Sequence, residues 1–130
     1  MEILFLDDME VRHRTFKRLI AHKHNVTYVG NDSEAKTALA AQRFNVVFLD
    51  HDLAEDHYAG DFTKGGESGQ DVVRFIVDKL PKDLWPKNAI IHSLNPDGSK
   101  RMFECLIQAG ISSYLLAFGS DSFNKTVKGL

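Results

Sequence analysis

The stretch 45-NVVFLDHDL-53 decides how the chain folds. Asn45 to Leu49 is a short apolar run of strand length, rich in β-branched and aromatic residues. It ends abruptly on three ionisable side chains, Asp50, His51 and Asp52. A strand buried on both faces and ending in carboxylates and an imidazole belongs to a parallel sheet, whose strand ends face solvent and ligands. A second stretch, 89-AIIHSLNP-96, repeats the pattern, with an apolar run that ends on His92.

Outward from these two runs, strand-like and helical patterns alternate. Ile3–Leu6 is a strand ending at Asp7-Asp8. Residues 9–22 are helical, with Phe16, Leu19 and Ile20 at helical spacing. Residues 26–30 form a second strand, and Asp32 or Ser33 caps an alanine-rich helix that runs through Ala41. A helix spans 71–80, with Val72, Val73, Ile76 and Leu80 on one face. Pro81 and Pro86 bracket a turn around Trp85, which is expected to be a packing anchor. A helix over 99–109 ends at Gly110, and a fifth strand covers 114–118, before a short terminal helix. Five strands alternating with five helices predict a single α/β domain over 1–130, with a doubly wound parallel sheet covered on both faces.

Composition bounds the function. The chain has 130 residues, 43% hydrophobic and 26% charged, which suits one globular domain. A formal net charge of -2 argues against nucleic-acid binding through bulk positive charge. No apolar run approaches the ~20 residues of a membrane span, and the start of the chain carries no signal-peptide pattern. With one cysteine, Cys105, the expected setting is reducing and cytoplasmic. The composition leaves the oligomeric state open.

In such sheets ligands bind outside the carboxyl ends of the strands. Asp7-Asp8, Asp50-His51-Asp52 and His92-Ser93-Asn95 all follow strand ends, so three separated segments deliver polar residues to one edge. The carboxylates of Asp7, Asp8 and Asp50 need a cation or a proton to coexist. Mg²⁺ suits hard oxygen ligands. An added imidazole moves the preference toward Mn²⁺, Fe²⁺ or Zn²⁺. Asp8 as a simple helix cap is the plainer alternative.

The acidic pair Asp7-Asp8, Asp50 at the end of strand three, Ser93 at the end of strand four, and 109-AGISSYLLAF-118 together resemble response-regulator receiver domains over nearly the whole chain. The resemblance implies strand order 2-1-3-4-5, a phosphoacceptor role for Asp50 and a place for Ser93 beside it. The chain departs from receivers at Ala117 and Phe118, where they carry lysine and proline. A narrower resemblance covers 6-LDDMEVR-12, 48-FLDHDL-53, 69-GQDVVRF-75 and 90-IIHSLNPDGSKRM-102. These are similar to the cyclic-phosphate processing receiver-like domains, which implies processing of cyclic phosphates on nucleotides or RNA ends.

If Asp50 sits beside Ser93, as the receiver pattern implies, His51 and His92 share one face of the sheet, on the order of 8 Å apart. A phosphate between them would have an acid on one side and a base on the other. Asp50, Asp52 and Ser93 would then share the opposite face. Asp52 would orient an imidazole, and Ser93 and Asn95 would donate to phosphoryl oxygens at the start of the next helix. Arg12 and Arg101 are candidate phosphate partners, with solvated arginines the plainer reading. In the long polar segment 54–69, His57, Tyr58 and Phe62 are candidates for base or ribose contact, while Gly65-Gly66 is a flexible turn. His13, His22 and His24 are expected on the surface.

The expected function is a metal-assisted phosphoesterase acting on a cyclic phosphate, with catalytic Asp50, His51, Asp52 and His92. One alternative is a degenerate receiver serving as a signalling or interaction module. Another is a protein that binds cyclic nucleotides without hydrolysis.

Overall fold

The computed structural model describes residues 1–52 and 68–130. The described elements are β1 (Glu2–Leu6), α1 (Glu10–Leu19), β2 (Asn25–Val29), α2 (Asp32–Ala41), β3 (Val46–Leu49), α3 (Gly69–Asp78), β4 (Asn88–Ile91), α4 (Pro96–Ala109), β5 (Ser112–Leu115) and α5 (Asp121–Gly129), with a 3-10 turn at Lys82–Leu84. The five strands form one sheet in the order β2-β1-β3-β4-β5, every pair parallel. The expected fold and strand order are both present. Among the described residues no helix is long and apolar enough to cross a membrane.

Alternation along the central strands sorts the core into two layers. Leu4, Leu6, Val47, Leu49, Ala89 and Ile91 pack against α2, α3 and α4. Ile3, Phe5, Val46, Phe48 and Ile90 pack against Phe16 of α1 and Phe123 and Val127 of α5. Each fully buried Phe or Leu contributes roughly 1.5–3 kcal/mol, so the near-continuous apolar runs of β1, β3 and β4 follow from burial on both faces.

The helix ends follow local chemistry. Asn31, rather than Asp32 or Ser33, caps α2 by accepting from Glu34 N–H at 2.8 Å. Asn95 caps α4 by accepting from Gly98 N–H at 3.0 Å, so that helix begins at Pro96, three residues earlier than the apolar spacing alone suggests. Gly110 ends it in the left-handed conformation at φ 92°. Trp85 packs against the larger core and donates from Nε1 to Leu80 O at 3.1 Å, an anchor as expected. Residues 53–67, with the candidates His57, Tyr58, Phe62 and Gly65-Gly66, lie outside the described residues.

Candidate functional site

Strand geometry carries the acids to one edge. Past Phe5 and Phe48, the next residues on the same side are Asp7 and Asp50. Both are buried. Beyond the pair Leu49–Ile91, His92 N–H donates to Leu49 O at 3.0 Å, so the ladder between β3 and β4 runs one residue further. That register sets His92, and not Ser93, beside Asp50. The one-residue slip moves His92 and Ser93 to the faces opposite those that the receiver pattern implies.

The two histidines consequently lie on opposite sides of the sheet. His92 is fully buried among the aromatic rings of the α1/α5 side. It stacks on Phe5 with centroids 5.0 Å apart and planes 7° apart, and touches Phe48, Phe118 and Phe123. The ring of His51 lies against Gly98 of α4, where a Cβ would come within 2.5 Å of it. The expected arrangement of a phosphate between His51 and His92 is therefore corrected. So is the expected shared face for Asp50 and Ser93.

The buried side is an electrostatic unit. His92 Nε2 donates to Asp7 Oδ2 at 2.9 Å, and its buried Nδ1 has no hydrogen-bond partner among the described residues. Arg12 Nη1 donates to the same Asp7 oxygen at 3.2 Å and lies 3.9 Å from Asp50 Oδ2. The Met9 amide donates to Asp7 Oδ1 at 2.8 Å. Burial pushes the Asp7 carboxyl up, but the His92 hydrogen bond, the Met9 amide and Arg12 outweigh it and hold the carboxyl below its usual range. Burial pushes His92 down, keeping it neutral. Asp50 is pushed up to about 7, first by burial and then by the Asp7 charge, with Asp8 adding to it.

Asp7, Asp50 and His92 offer one ligand atom each, all within 4.8 Å of one another. A carboxyl driven that far up beside another carboxylate marks a pocket short of positive charge, and the donor set fits a divalent cation. Asp8 is half-buried beside this group.

The second half of the site lies over the start of α4. His51 Nδ1 donates to Asp52 Oδ1 at 2.9 Å, and Asn95 Nδ2 donates to the same oxygen at 3.2 Å. The carboxylate draws the ring proton to Nδ1, so in the neutral imidazole the lone pair lies on Nε2. The His51 amide donates to Asp50 Oδ1 at 2.9 Å, linking the two halves. Ser93 Oγ accepts the Asn95 amide at 3.1 Å, shaping the turn into α4. Arg101 is exposed on α4 and joins none of these contacts.

Three residues enter the site that sequence reading did not single out. Gly69 approaches so closely that a Cβ would sit 1.9 Å from Asp50 O, and its amide donates to His51 O at 2.8 Å. Gly98 gives His51 its place. His13, expected on the surface, is half-buried, and its Nε2 donates to Asp7 O at 2.6 Å. His24 is also half-buried, with Nε2 donating to Leu130 O at 2.8 Å. Both glycines lie inside the quoted motifs. The role of His13 has no signal beyond its position next to Arg12.

Known structures place the fold among receivers. The chain is similar to a CheY-like response regulator receiver domain from Methylobacillus flagellatus, at 18% identity and TM-score 0.67, covering 96% of this chain and 92% of that one. It is also similar to the response regulator TrrA from Thermotoga maritima, in complex with Mg²⁺-BeF, at 21% identity and TM-score 0.66, covering 98% and 96%. A response regulator from Burkholderia pseudomallei, with a phosphorylated aspartic acid, calcium ion and citrate, matches at 20% identity and TM-score 0.66, covering 98% of this chain and 65% of that one. No curated protein sequence matches the chain. Within this fold, the edge carries a histidine beside Asp50, an alanine in place of the receiver lysine and a carboxylate-bound imidazole after Asp50. The model of the cyclic-phosphate processing receiver domain matches residues 2–108, most of the chain, and the chain belongs to that family.

Proposed function

We propose that the protein is a phosphoesterase that opens cyclic phosphates on nucleotides or RNA ends. The observation that carries this reading is the His51–Asp52 pair, 2.9 Å apart and tied to Asp50 through the His51 amide. A phosphorylation switch needs an acceptor carboxylate and cations, but no oriented base. Hydrolysis of a phosphodiester does need one.

Asp7, Asp8 and Asp50, with His92 at hand, would hold a divalent cation, Mg²⁺ or Mn²⁺, with Zn²⁺ or Fe²⁺ favoured if an imidazole binds. Such an ion supplies Lewis-acid polarisation of phosphoryl oxygen and a water of lowered pKa. His51 Nε2 takes a proton from the attacking water as its oxygen bonds to phosphorus. One ring P–O bond breaks, and the leaving oxygen takes up a proton to become a hydroxyl. Asp52 keeps His51 in the right tautomer and stabilises the imidazolium that forms. His92 acts as a positioning residue, aiming Asp7 into the pocket. The N-terminus of α4, with Ser93 and Asn95 at its entrance, favours the anionic phosphate. A cavity of about 480 Å³ beside Ser93, lined by Leu94, Pro96, Leu115 and Ala117, has room for the rest of a nucleotide.

Incubation with 2′,3′-cyclic nucleotides, ADP-ribose 1″,2″-cyclic phosphate and cyclic dinucleotides, each with Mg²⁺, Mn²⁺ or Zn²⁺, tests the reading by phosphorus NMR. Ring opening that is lost in His51→Ala is the expected result. No opening of any substrate, with acetyl phosphate labelling Asp50, overturns it in favour of a receiver-type signalling module. That second reading is supported by the place of Asp50 at the end of β3. Cyclic nucleotide that binds and returns intact would instead make the protein a binder.

A further inference from the structure

Arg12 reaches the acidic pocket from the first turn of α1. Its Nη1 lies within 4 Å of oxygens on both Asp7 and Asp50, at 3.2 and 3.9 Å. Its guanidinium lies over the ring of Phe118, 5.1 Å from the centroid. The Phe118 amide donates to His92 O at 3.0 Å, so the residue beneath the guanidinium is pinned to the end of β4. The side chain is only 17% exposed. The receiver pattern carries a lysine after strand five. Here that position is Ala117, next to Phe118, and the cation comes from α1 instead.

We propose that Arg12 is a built-in counter-cation of the pocket. It balances Asp7 and Asp50 when no divalent ion is bound, and turns to the phosphate oxygens when one is. The inference rests on reading the pocket as a metal and phosphate site, but not on ring opening.

The charges require such a competition. A divalent ion and the guanidinium need the same carboxylate oxygens, so binding of one weakens the hold on the other. Once Asp50 turns to the ion, Arg12 keeps its stack on Phe118 and still has a planar fork of N–H donors. That fork matches two phosphate oxygens, which a lysine ammonium does not. The arginine therefore opposes metal binding and favours oxyanion binding. A plain structural ion pair would not give those opposite signs.

Two titrations of the full chain, neither using a cyclic substrate, test this. Mn²⁺ alone is titrated into wild type and Arg12→Gln, and inorganic phosphate is titrated into the Mg²⁺-loaded proteins. Arg12→Gln is expected to bind Mn²⁺ about three- to tenfold more tightly, and phosphate at least about threefold more weakly. Arg12→Lys, which keeps the charge and loses the fork, is expected to weaken phosphate while leaving Mn²⁺ affinity within about twofold. It also serves as the test if Arg12→Gln does not fold. Unchanged or weaker Mn²⁺ binding in Arg12→Gln, or unchanged phosphate binding in either variant, overturns the inference and leaves the pocket a metal site. If wild type binds no Mn²⁺, the metal reading falls and the inference falls with it.

Discussion

His92 and Asp7 form a fully buried pair at the end of the sheet, with Nε2 2.9 Å from Oδ2 and neither side chain exposed. The imidazole stands where it closes the aromatic cluster and holds the carboxylate at the same time. Removing one partner of a buried polar pair costs more than the pair itself contributes, because the other is left desolvated and unpaired. His92→Ala should therefore lower stability by about 3–5 kcal/mol in urea unfolding. Adding Asp7→Asn should recover part of that loss, with a coupling energy of about 1–3 kcal/mol. Strictly additive losses would show that the contact contributes nothing.

Asp50 gives the metal-free protein an unusual pH dependence. Its carboxyl is pushed from 3.8 when unfolded to about 7 when folded. Between these values the folded state binds the extra proton, so stability is fullest below 3.8 and falls as pH rises through 7. The full loss is up to about 4 kcal/mol. Asp7, held down, has the opposite sign, but its loss occurs below 3.8, outside this window. Relative to Asp50→Asn, wild type should lose stability from pH 5 to pH 8, read as denaturant midpoints; His92, held below 6.5, gains stability with rising pH in both proteins and drops out of the comparison. Mg²⁺ should restore the wild-type loss at pH 8 far more than at pH 5. An equal slope in both proteins would contradict the charge crowding argued for this pocket.

Much of this was legible from residues. The runs Ile3–Leu6, 45–49 and 89–91 announced central parallel strands, because burial on both faces leaves no room for polar alternation. The same logic placed Asp7, Asp50 and His92 at one edge, and the adjacency of His51 and Asp52 in sequence already allowed the imidazole–carboxylate contact. Register was not legible. Nothing in 89-AIIHSLNP-96 says whether His92 or Ser93 stands beside Asp50, since that depends on one ladder hydrogen bond to Leu49. The environment of His13 was also hidden, because a turn folds the Asp7 carbonyl over α1 and periodicity carries no record of it.

Gly69 allows the first turn of α3 to press against the end of β3. A Cβ there would sit 1.9 Å from Asp50 O and 2.7 Å from Met102 Cε. Met102 is flexible and can yield, but the Asp50 carbonyl is backbone and cannot. Gly69→Ala should cost about 2 kcal/mol or more through overpacking, despite the better helix propensity of alanine. It should also weaken Mn²⁺ binding, because the displaced segment carries the Asp50 carboxylate. Gly129→Ala, with nothing within 4 Å of the added carbon, is the matched control and should be neutral or slightly stabilising. Equal stabilities for the two variants would refute the packing argument.

Gly98 separates the placement of His51 from the stability of the fold. Its added Cβ would lie 2.5–2.6 Å from three atoms of the His51 ring, its nearest neighbours among the described residues. An imidazole that is only partly exposed, held through Nδ1 by Asp52 and at 3.4 Å by Asn95, can swing away, so Gly98→Ala should cost little stability. Swinging away breaks the contact of Nδ1 with Asp52 and moves Nε2 off its line to the substrate. Misplacing a catalytic group by about 1 Å costs on the order of a hundredfold in rate. Gly98→Ala should thus lose ring-opening activity about a hundredfold while keeping Mn²⁺ affinity at the buried pocket. His51→Ala should lose as much, and the double variant should lose no more than His51→Ala, because both act through one imidazole. Additive losses in the double variant would mean that Gly98 serves the phosphate directly, through the N-terminus of α4, and not through His51.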